Sequence, residues 1–570
     1  MAVTLESRGV VPASDDYYNI GVFERRVSTT NNDAQVWFNR GLTWAYSFNH
    51  REAYACFKQV IAHDPVCVMG YWGAAFALGP NHNKVWGAFD KKELEDTMSE
   101  CYDLVQKGKE APNATPAERA LVEALQSRFP SKEPPADLAP SVRAYADAMR
   151  QVYRRFGKED LDIRTLAADA LMGIAPWKLY FSQTGEPDLS TPVLEVKDLL
   201  EEGLKDPDSR RHPGLLHMYI HLTEMSKTPE LAVIPADYLR QLVPEAGHIS
   251  HMPSHIDVLV GDYRRAVHTN IQATTADDKY VAREGANNFY SVYRMHNYHS
   301  LIYAAMLAGH RSIALESVTR MEATLTYELL RIESPPMADW LEFFKSVRVH
   351  VYIRFGMWDA LKELPIPEDK EVYCCTVAFI YYGKAIAYAA TSDLDSAAVQ
   401  RELYLEAVER VPPTRLDFPN RVIDTLGVAT AMLDGELEYR RGHYDAAFGH
   451  LRTAVERDDG LAYSEPWAWM LPTRHPYAAL LLERGRVAEA ASLYAEDLGY
   501  SDKLVRGHQH PNNVWALHGY HECLVRLGRA GEAAVVAKQL SIAAAGADVS
   551  VNSSCFCRLE TAECAPGHCS

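Results

Sequence analysis

A short glycine-led turn recurs along this chain, each time between two helix-length segments in which small and large residues alternate at helical spacing. Gly435, Gly442, Ala447, Leu451 and Ala454 make one such set; Ala478, Gly485, Ala490 and Tyr494 make another, and Gly528 with Ala533 a third. Trp37, Gly41, Trp44, Ala53, Phe57 and Pro65 carry the same rhythm near the start, and the stretches 261–266 and 356–360 repeat the turn with its second helix. A large side chain on one helix must fill the gap left by a small one on its partner, which gives a helix-turn-helix repeat of roughly 34 residues. One such hairpin cannot bury its apolar face alone, so hairpins have to stack.

Apolar residues at three- and four-residue spacing predict further helices over 119–129 and 145–156. Segments 107–116 and 131–140 read as surface loops, and strand signals are nearly absent. The expected fold is all-α, a tetratricopeptide (TPR)-like superhelix or α-solenoid with a central polar pocket. Its expected layout is an N-terminal extension over 1–32, a first array over 33–310 carrying the candidate site, a second over 311–545, and a flexible cysteine-containing tail over 546–570.

With 570 residues the chain has ample capacity for a buried core. Lys plus Arg number 58 against 76 for Asp plus Glu, and the net charge of -18 argues against a nucleic-acid partner. The opening MAVTLESRGVVPASDD has no apolar signal region, and no run approaches the roughly 20 apolar residues of a membrane span, so a cytoplasmic location is expected. Cys56, Cys67, Cys101, Cys374, Cys375 and Cys523 are scattered, as suits a reducing compartment better than a disulfide framework. In the tail, Cys555, Cys557, Cys564, His568 and Cys569 include zinc-ligand residue types, but their spacing matches no zinc finger and a disordered tail is the expectation there.

The chemistry concentrates between residues 212 and 299, where His217, His221, His248, His251, His255, His296 and His299 fall close together. His217 and His221 are four apart in an apolar segment, so both imidazoles share one helix face and can reach one metal. Glu224, three residues on, is either a ligand or the acceptor that fixes a histidine tautomer. Pro253 starts the next helix, with His251 at its mouth and His255 in its first turn. Asn270, Thr274 and Asp277 form a polar stripe on a helix where a repeat protein ordinarily shows alanine and leucine, and Asp278, Lys279 and Arg283 follow; His296 and His299 open a further helix. A lone histidine on an apolar face is usually a hydrogen-bonded core residue. Several in pairs on consecutive helices are harder to bury without a metal or anion, since unpaired buried polar groups are costly.

Further blocks carry a resemblance. Phe48-Asn49-His50, Gly79-Pro80-Asn81, Ala175-Pro176-Trp177, HPGLLHMYIH (212–221), GHISHMPSHI (247–256), Met295 to His299, Glu465-Pro466-Trp467, Trp469, Pro472 to Arg474 and Asn513 to Gly519 are similar to motifs of a widespread, mostly bacterial family of TPR-containing proteins. The resemblance runs from about Asp33 to Arg529 and implies a TPR superhelix whose ends contribute to one central pocket; it brings no reaction with it. It adds His50, Asn81 and Trp177 to Asn270 and Arg283 as expected substrate-binding residues. Asp277-Asp278-Lys279 resembles, more narrowly, the unconventional sesquiterpene cyclases of fungal tropolone meroterpenoid pathways. Those enzymes form humulene from farnesyl diphosphate with two Mg2+ ions and an essential lysine.

Three readings follow. In the first the chain is a Mg2+-dependent cyclase ionising a prenyl diphosphate, a small-molecule substrate such as farnesyl diphosphate. There Asp277, Asn270 and some histidines hold metal, while Lys279 and Arg283 bind diphosphate. In the second it is a hydrolase or oxidase using Zn2+, Fe2+, Mn2+ or Cu2+, with His217, His221, His251 and His255 as ligands and Glu224 or Asp277 as base. In the third it is a non-enzymatic TPR interaction scaffold with a polar histidine core. Homo-oligomer formation stays open in all three.

Overall fold

The computed structural model describes residues 9–558, and over them the chain is a succession of α-helices and short 3-10 turns with one two-stranded sheet, Leu416–Asp417 against Asn420–Arg421. It divides into two compact units, residues 1–256 with 268–297 and residues 257–267 with 298–570. The fold is an all-α, TPR-like array of helical hairpins.

In the first unit Asn31 caps the helix Asn32–Tyr46 by accepting from the Ala34 amide, and Asn49 caps His50–His63 through the Glu52 amide. Phe57 lies between Gly41 of the first helix and Gly73 of the third, Val68–Leu78: a β-carbon at Gly41 would come 2.8 Å from its ring, and one at Gly73 2.3 Å. The large-into-small packing expected from the repeat is this one ring in two glycine notches. The N-terminal segment also belongs to the unit, since the Trp37 indole donates to the Val11 carbonyl at 2.9 Å.

The second unit contains the pairs Val422–Arg440 with Tyr444–Asp459, Arg474–Glu483 with Val487–Asp497, and Val514–Arg526 with Ala530–Ala543. The turns inside them carry Gly442, Gly485 and Gly528 at φ of +81°, +73° and +72°, a region that penalises any β-carbon. Leu451 fills the space over Gly435, and Tyr494 that over Gly519.

Two local expectations change. Residues 107–110 are the last turn of the helix Lys91–Glu110 rather than loop, and Pro116 starts the next helix, where Thr115 and Glu118 form a reciprocal capping box. The described part of the tail is packed rather than flexible. Ser554, Cys557 and Arg558 are buried, the Ser554 hydroxyl donates to the His475 carbonyl at 2.9 Å, Arg558 pairs with Glu522 at 2.7 Å, and Cys555 is bonded to Cys557. Cys564, His568 and Cys569 lie outside the described residues. Among the described helices none is long and apolar enough to cross a membrane.

Phe57→Ala is expected to cost about 3–5 kcal/mol in urea unfolding of the first unit, because it empties both glycine notches at once. Phe57→Leu should cost clearly less, and equal losses for the two would show that the ring does not fill them.

Candidate metal centre

Six of the seven histidines come together inside the first unit. Pro213 starts the helix Pro213–Thr223, which His212 caps by accepting from the Leu215 amide, and this helix carries His217 and His221. His248 and His251 lie on the short helix Gly247–His251, and His255 in the first turn of Pro253–Leu259. His296 stands in the second turn of Tyr290–Ala308, a helix that opens six residues earlier than the sequence suggests.

Their ring nitrogens divide into an anchored set and an inward set. Nδ1 of His217 donates to the Tyr46 carbonyl at 2.6 Å, Nδ1 of His221 to Glu224 Oε1 at 2.8 Å and Nδ1 of His255 to Glu224 Oε2 at 2.6 Å. Nδ1 of His251 meets Asn270 Oδ1 at 2.6 Å. With Nδ1 of His217, His221 and His255 carrying the proton, Nε2 of each is left with its lone pair. Nε2 of His217 and of His221 is buried without a hydrogen-bond partner, and so are both ring nitrogens of His248. Nε2 of His251 and of His255 face each other at 2.7 Å.

Three donor groups have ligand atoms within 4.8 Å of one another: His217 with His221 and His248, His248 with His251 and His296, and His221 with Glu224 and His255. Burial pushes the imidazoles of His217, His248, His251 and His255 down from their ordinary value, which keeps them neutral and able to donate a lone pair. Burial alone would raise Glu224, but His221 and His255 on either side hold its carboxyl well below the usual range. Glu224 is therefore the acceptor that orients two histidines.

Aromatic rings enclose the cluster. Phe48, at φ +55° in the first hairpin turn, lies against His221 at 5.8 Å and His248 at 5.5 Å, both nearly parallel, and against His217 at 4.4 Å. His82 packs against His221 at 4.8 Å and stacks on Trp177 at 5.4 Å, while Tyr293 touches His248 at 4.8 Å and donates to Asn81 Oδ1 at 3.2 Å. Trp177 and Asn81 thus border the cluster, and His50 packs behind Phe48 at 6.2 Å. Phe48 lies in the Phe48-Asn49-His50 block, and the sequence pattern by itself assigns no role to it, to His82 or to Tyr293. His82 directly follows the Gly79-Pro80-Asn81 block, which is the signal that could have found it.

Other expected site residues do different work. Asp277 accepts from the Tyr290 hydroxyl at 2.8 Å and from Asn297 Nδ2 at 2.7 Å, and the Tyr290 oxygen in turn accepts from the His248 amide at 3.3 Å. Burial pushes the Asp277 carboxyl up to about 6. It stands against the backbone of Gly247, where a β-carbon would come 1.8 Å from its Oδ1. Asp277 thus positions the His248 segment, and it belongs to none of the three donor groups. Lys279 is half exposed and paired with Glu245 at 2.7 Å. Asp278 pairs with Arg294 at 2.6 Å, and the Arg283 guanidinium packs on Tyr18 and donates to the Asp16 carbonyl. His299 lies in the second unit against Phe343 and Phe344, outside the three donor groups.

Neither a protein-family model nor a curated protein matches the chain. Solved structures do. The APC/C hetero-tetramer Cut9-Hcn1 matches at 13% identity over 88% of this chain and 78% of that one, TM-score 0.30. The TPR domain of P58(IPK) matches at 10% identity over 81% and 99%, TM-score 0.18, and Naa15/Naa10 bound to HypK-THB at 10% over 90% and 89%, TM-score 0.19. Scores this low add nothing to the fold read from the helices themselves. The expectation of a prenyl-diphosphate cyclase is corrected by the geometry: Asp277, Asp278 and Lys279 diverge to three separate partners and form no metal-diphosphate clamp.

Gly247→Ala is expected to destabilise the first unit by about 1–3 kcal/mol through the clash with Asp277. Asp277→Ala in the same chain should return part of that loss, and strictly additive effects in denaturant unfolding would show that the two residues are not in contact.

Proposed function

We propose that the chain is a helical-repeat interaction scaffold built around a transition-metal ion, held by His217, His221 and His248 with His251, His255 and His296 beside them. The observation that carries this reading is the division of the ring nitrogens: Nδ1 of His217, His221 and His255 is anchored on a carbonyl or carboxylate, and Nε2 of His217 and His221 is buried with no partner. Metal-binding histidines have this arrangement, because the second-shell acceptor fixes both tautomer and ring direction. Imidazole donors suit Zn2+, Cu2+, Fe2+ or Mn2+ better than Mg2+.

A structural role for the ion fits the burial, since His217, His248 and His251 have no exposed surface at all and closed coordination is the mark of a structural site. Repeat arrays of this type offer their surfaces to partner proteins. The last hairpin leaves Val525, Leu527, Val535 and Ile542 exposed, the kind of apolar surface on which a protein partner packs.

Elemental analysis of the purified protein is expected to find at least one transition-metal ion per chain. The double substitution His217→Ala/His221→Ala should lose it while keeping the helical circular dichroism. Free metal at about 1,000 times its Kd should stabilise the wild type by about 4 kcal/mol, and chelation should remove that increment. Metal-free protein that takes up no Zn2+, Cu2+, Fe2+ or Mn2+ on titration would refute the proposal.

Glu224→Gln keeps the volume but loses the charge that orients His221 and His255. It should weaken metal binding by about 10–100-fold.

A further inference from the structure

Away from the histidines, the second unit brings two adjacent cysteines to the start of the helix Cys374–Ala390. Cys374 and Cys375 are both buried, and Cys374 lies directly after the half-buried Val372 and Tyr373. Nε of Arg415 donates to the Cys374 sulfur at 3.3 Å. The guanidinium is fixed in place by Asp339 at 3.0 Å and by the carbonyls of Glu371 and Val372 at 3.2 and 3.1 Å.

Glu342 accounts for the rest of the cluster. Its carboxylate accepts from the Cys375 amide at 3.1 Å and from the Thr376 amide and hydroxyl at 2.8 and 2.5 Å, which caps the helix. Glu342, Cys374 and Cys375 have donor atoms close enough for a metal, but the carboxylate already serves the cap and a guanidinium stands at the sulfur, a poor setting for a cation. A positive charge and a helix N-terminus instead favour a thiolate. The Cys375 thiol and Arg415 hold Cys374 below the ordinary thiol value against the opposing effects of burial and Glu342, while burial pushes Cys375 up.

We infer that Cys374 is a peroxide-reactive cysteine and that Cys375 resolves it, making this dithiol an oxidation site independent of the metal centre. The Cys374 thiolate attacks one oxygen of hydrogen peroxide. The O–O bond breaks, hydroxide leaves and is protonated to water, and Cys374 becomes a sulfenic acid. The Cys375 sulfur, deprotonated, then attacks the sulfenyl sulfur; an S–S bond forms, hydroxide leaves, and a second water results. Two thiols are oxidised by two electrons in total, and one peroxide is reduced to two waters. Consecutive Cα atoms stand about 3.8 Å apart, below the roughly 4.4–6.8 Å that an unstrained disulfide spans, so the product is strained and readily reduced by small thiols. Closing it also displaces the Cys375 amide from Glu342 and loosens the first turn of the helix.

The test is limited exposure of the full-length protein to hydrogen peroxide, followed by peptide mass spectrometry. The wild type should give a 374–375 peptide lacking two hydrogens, reversible with dithiothreitol. Cys375→Ser should instead accumulate a sulfenic acid at Cys374 that dimedone captures. Buried Cys56, Cys101 and Cys523, whose thiols burial pushes up, are internal controls that should react on the order of tenfold more slowly. Arg415→Met should slow Cys374 toward those controls, with Arg415→Lys retaining most of the rate. If Cys374 reacts no faster than the three controls in the wild type, or the native protein carries a metal on the Cys374–Cys375 pair, the inference is overturned; neither outcome bears on the histidine site.

Discussion

The carboxylate of Glu224 holds the first unit's polar centre together. It has 1% exposure, and both its oxygens are taken by histidines from different helices, His221 just before it and His255 thirty-one residues on. An ionised carboxylate so far from water is tolerable only because two N–H donors replace its hydration, and an uncompensated charge left by losing a partner would cost about 3–5 kcal/mol. By taking the Nδ1 protons of both rings, Glu224 also decides which nitrogen each presents to the interior. Tyr46, offering only its carbonyl, does the same for His217.

The scaffold meets this demand through backbone geometry. Phe48 can lie across His221 and His248 because the first hairpin turns through a left-handed residue at that position. Gly247 brings its helix close enough for Asp277 to sit where a side chain would have been, and Tyr290 passes that constraint to the His248 amide. The repeat thus gives up part of its apolar packing for a connected set of polar contacts, most of them made from one helix to another. Such a network specifies one arrangement, because moving any member leaves a buried donor or acceptor unpaired.

Much of this was legible from spacing. The turn glycines Gly442, Gly485 and Gly528, the Phe57–Gly41 pairing, the shared face of His217 and His221, and Pro253 as a helix start all follow from rules local to one or two helices. The triplet Asp277-Asp278-Lys279 forms no single site because adjacency in sequence is divergence on a helix: positions one and two apart do not share a face. Only Asp277 points into the core, with Asp278 and Lys279 directed to Arg294 and Glu245. His299 shares the spacing of a ligand pair with His296, three residues away, but packs against Phe343 and Phe344 instead. His82 and Tyr293 reach the site from segments whose proximity no single-helix pattern encodes.

What separates this cluster from an ordinary polar core is that its unpaired atoms lie together, the ligand atoms of His217, His221 and His248 being within 4.8 Å of one another. His475 uses one nitrogen as donor and the other as acceptor, between Asp497 and Arg354, and His350 of the second unit leaves both of its nitrogens unpaired but stands outside every donor group. In the first unit Nε2 of His217, Nε2 of His221 and both nitrogens of His248 have no such partner. Leaving a buried polar atom unsatisfied costs about 1–3 kcal/mol, so a few of them together rival the whole stability of a typical domain, about 5–15 kcal/mol. Adding protons at His217 or His248 does not resolve this, because burial already disfavours the charged imidazole and neighbouring histidines repel a second charge. A cation that accepts several lone pairs at once removes the penalty, and neutral imidazoles with anchored Nδ1 atoms are the form in which it would bind them.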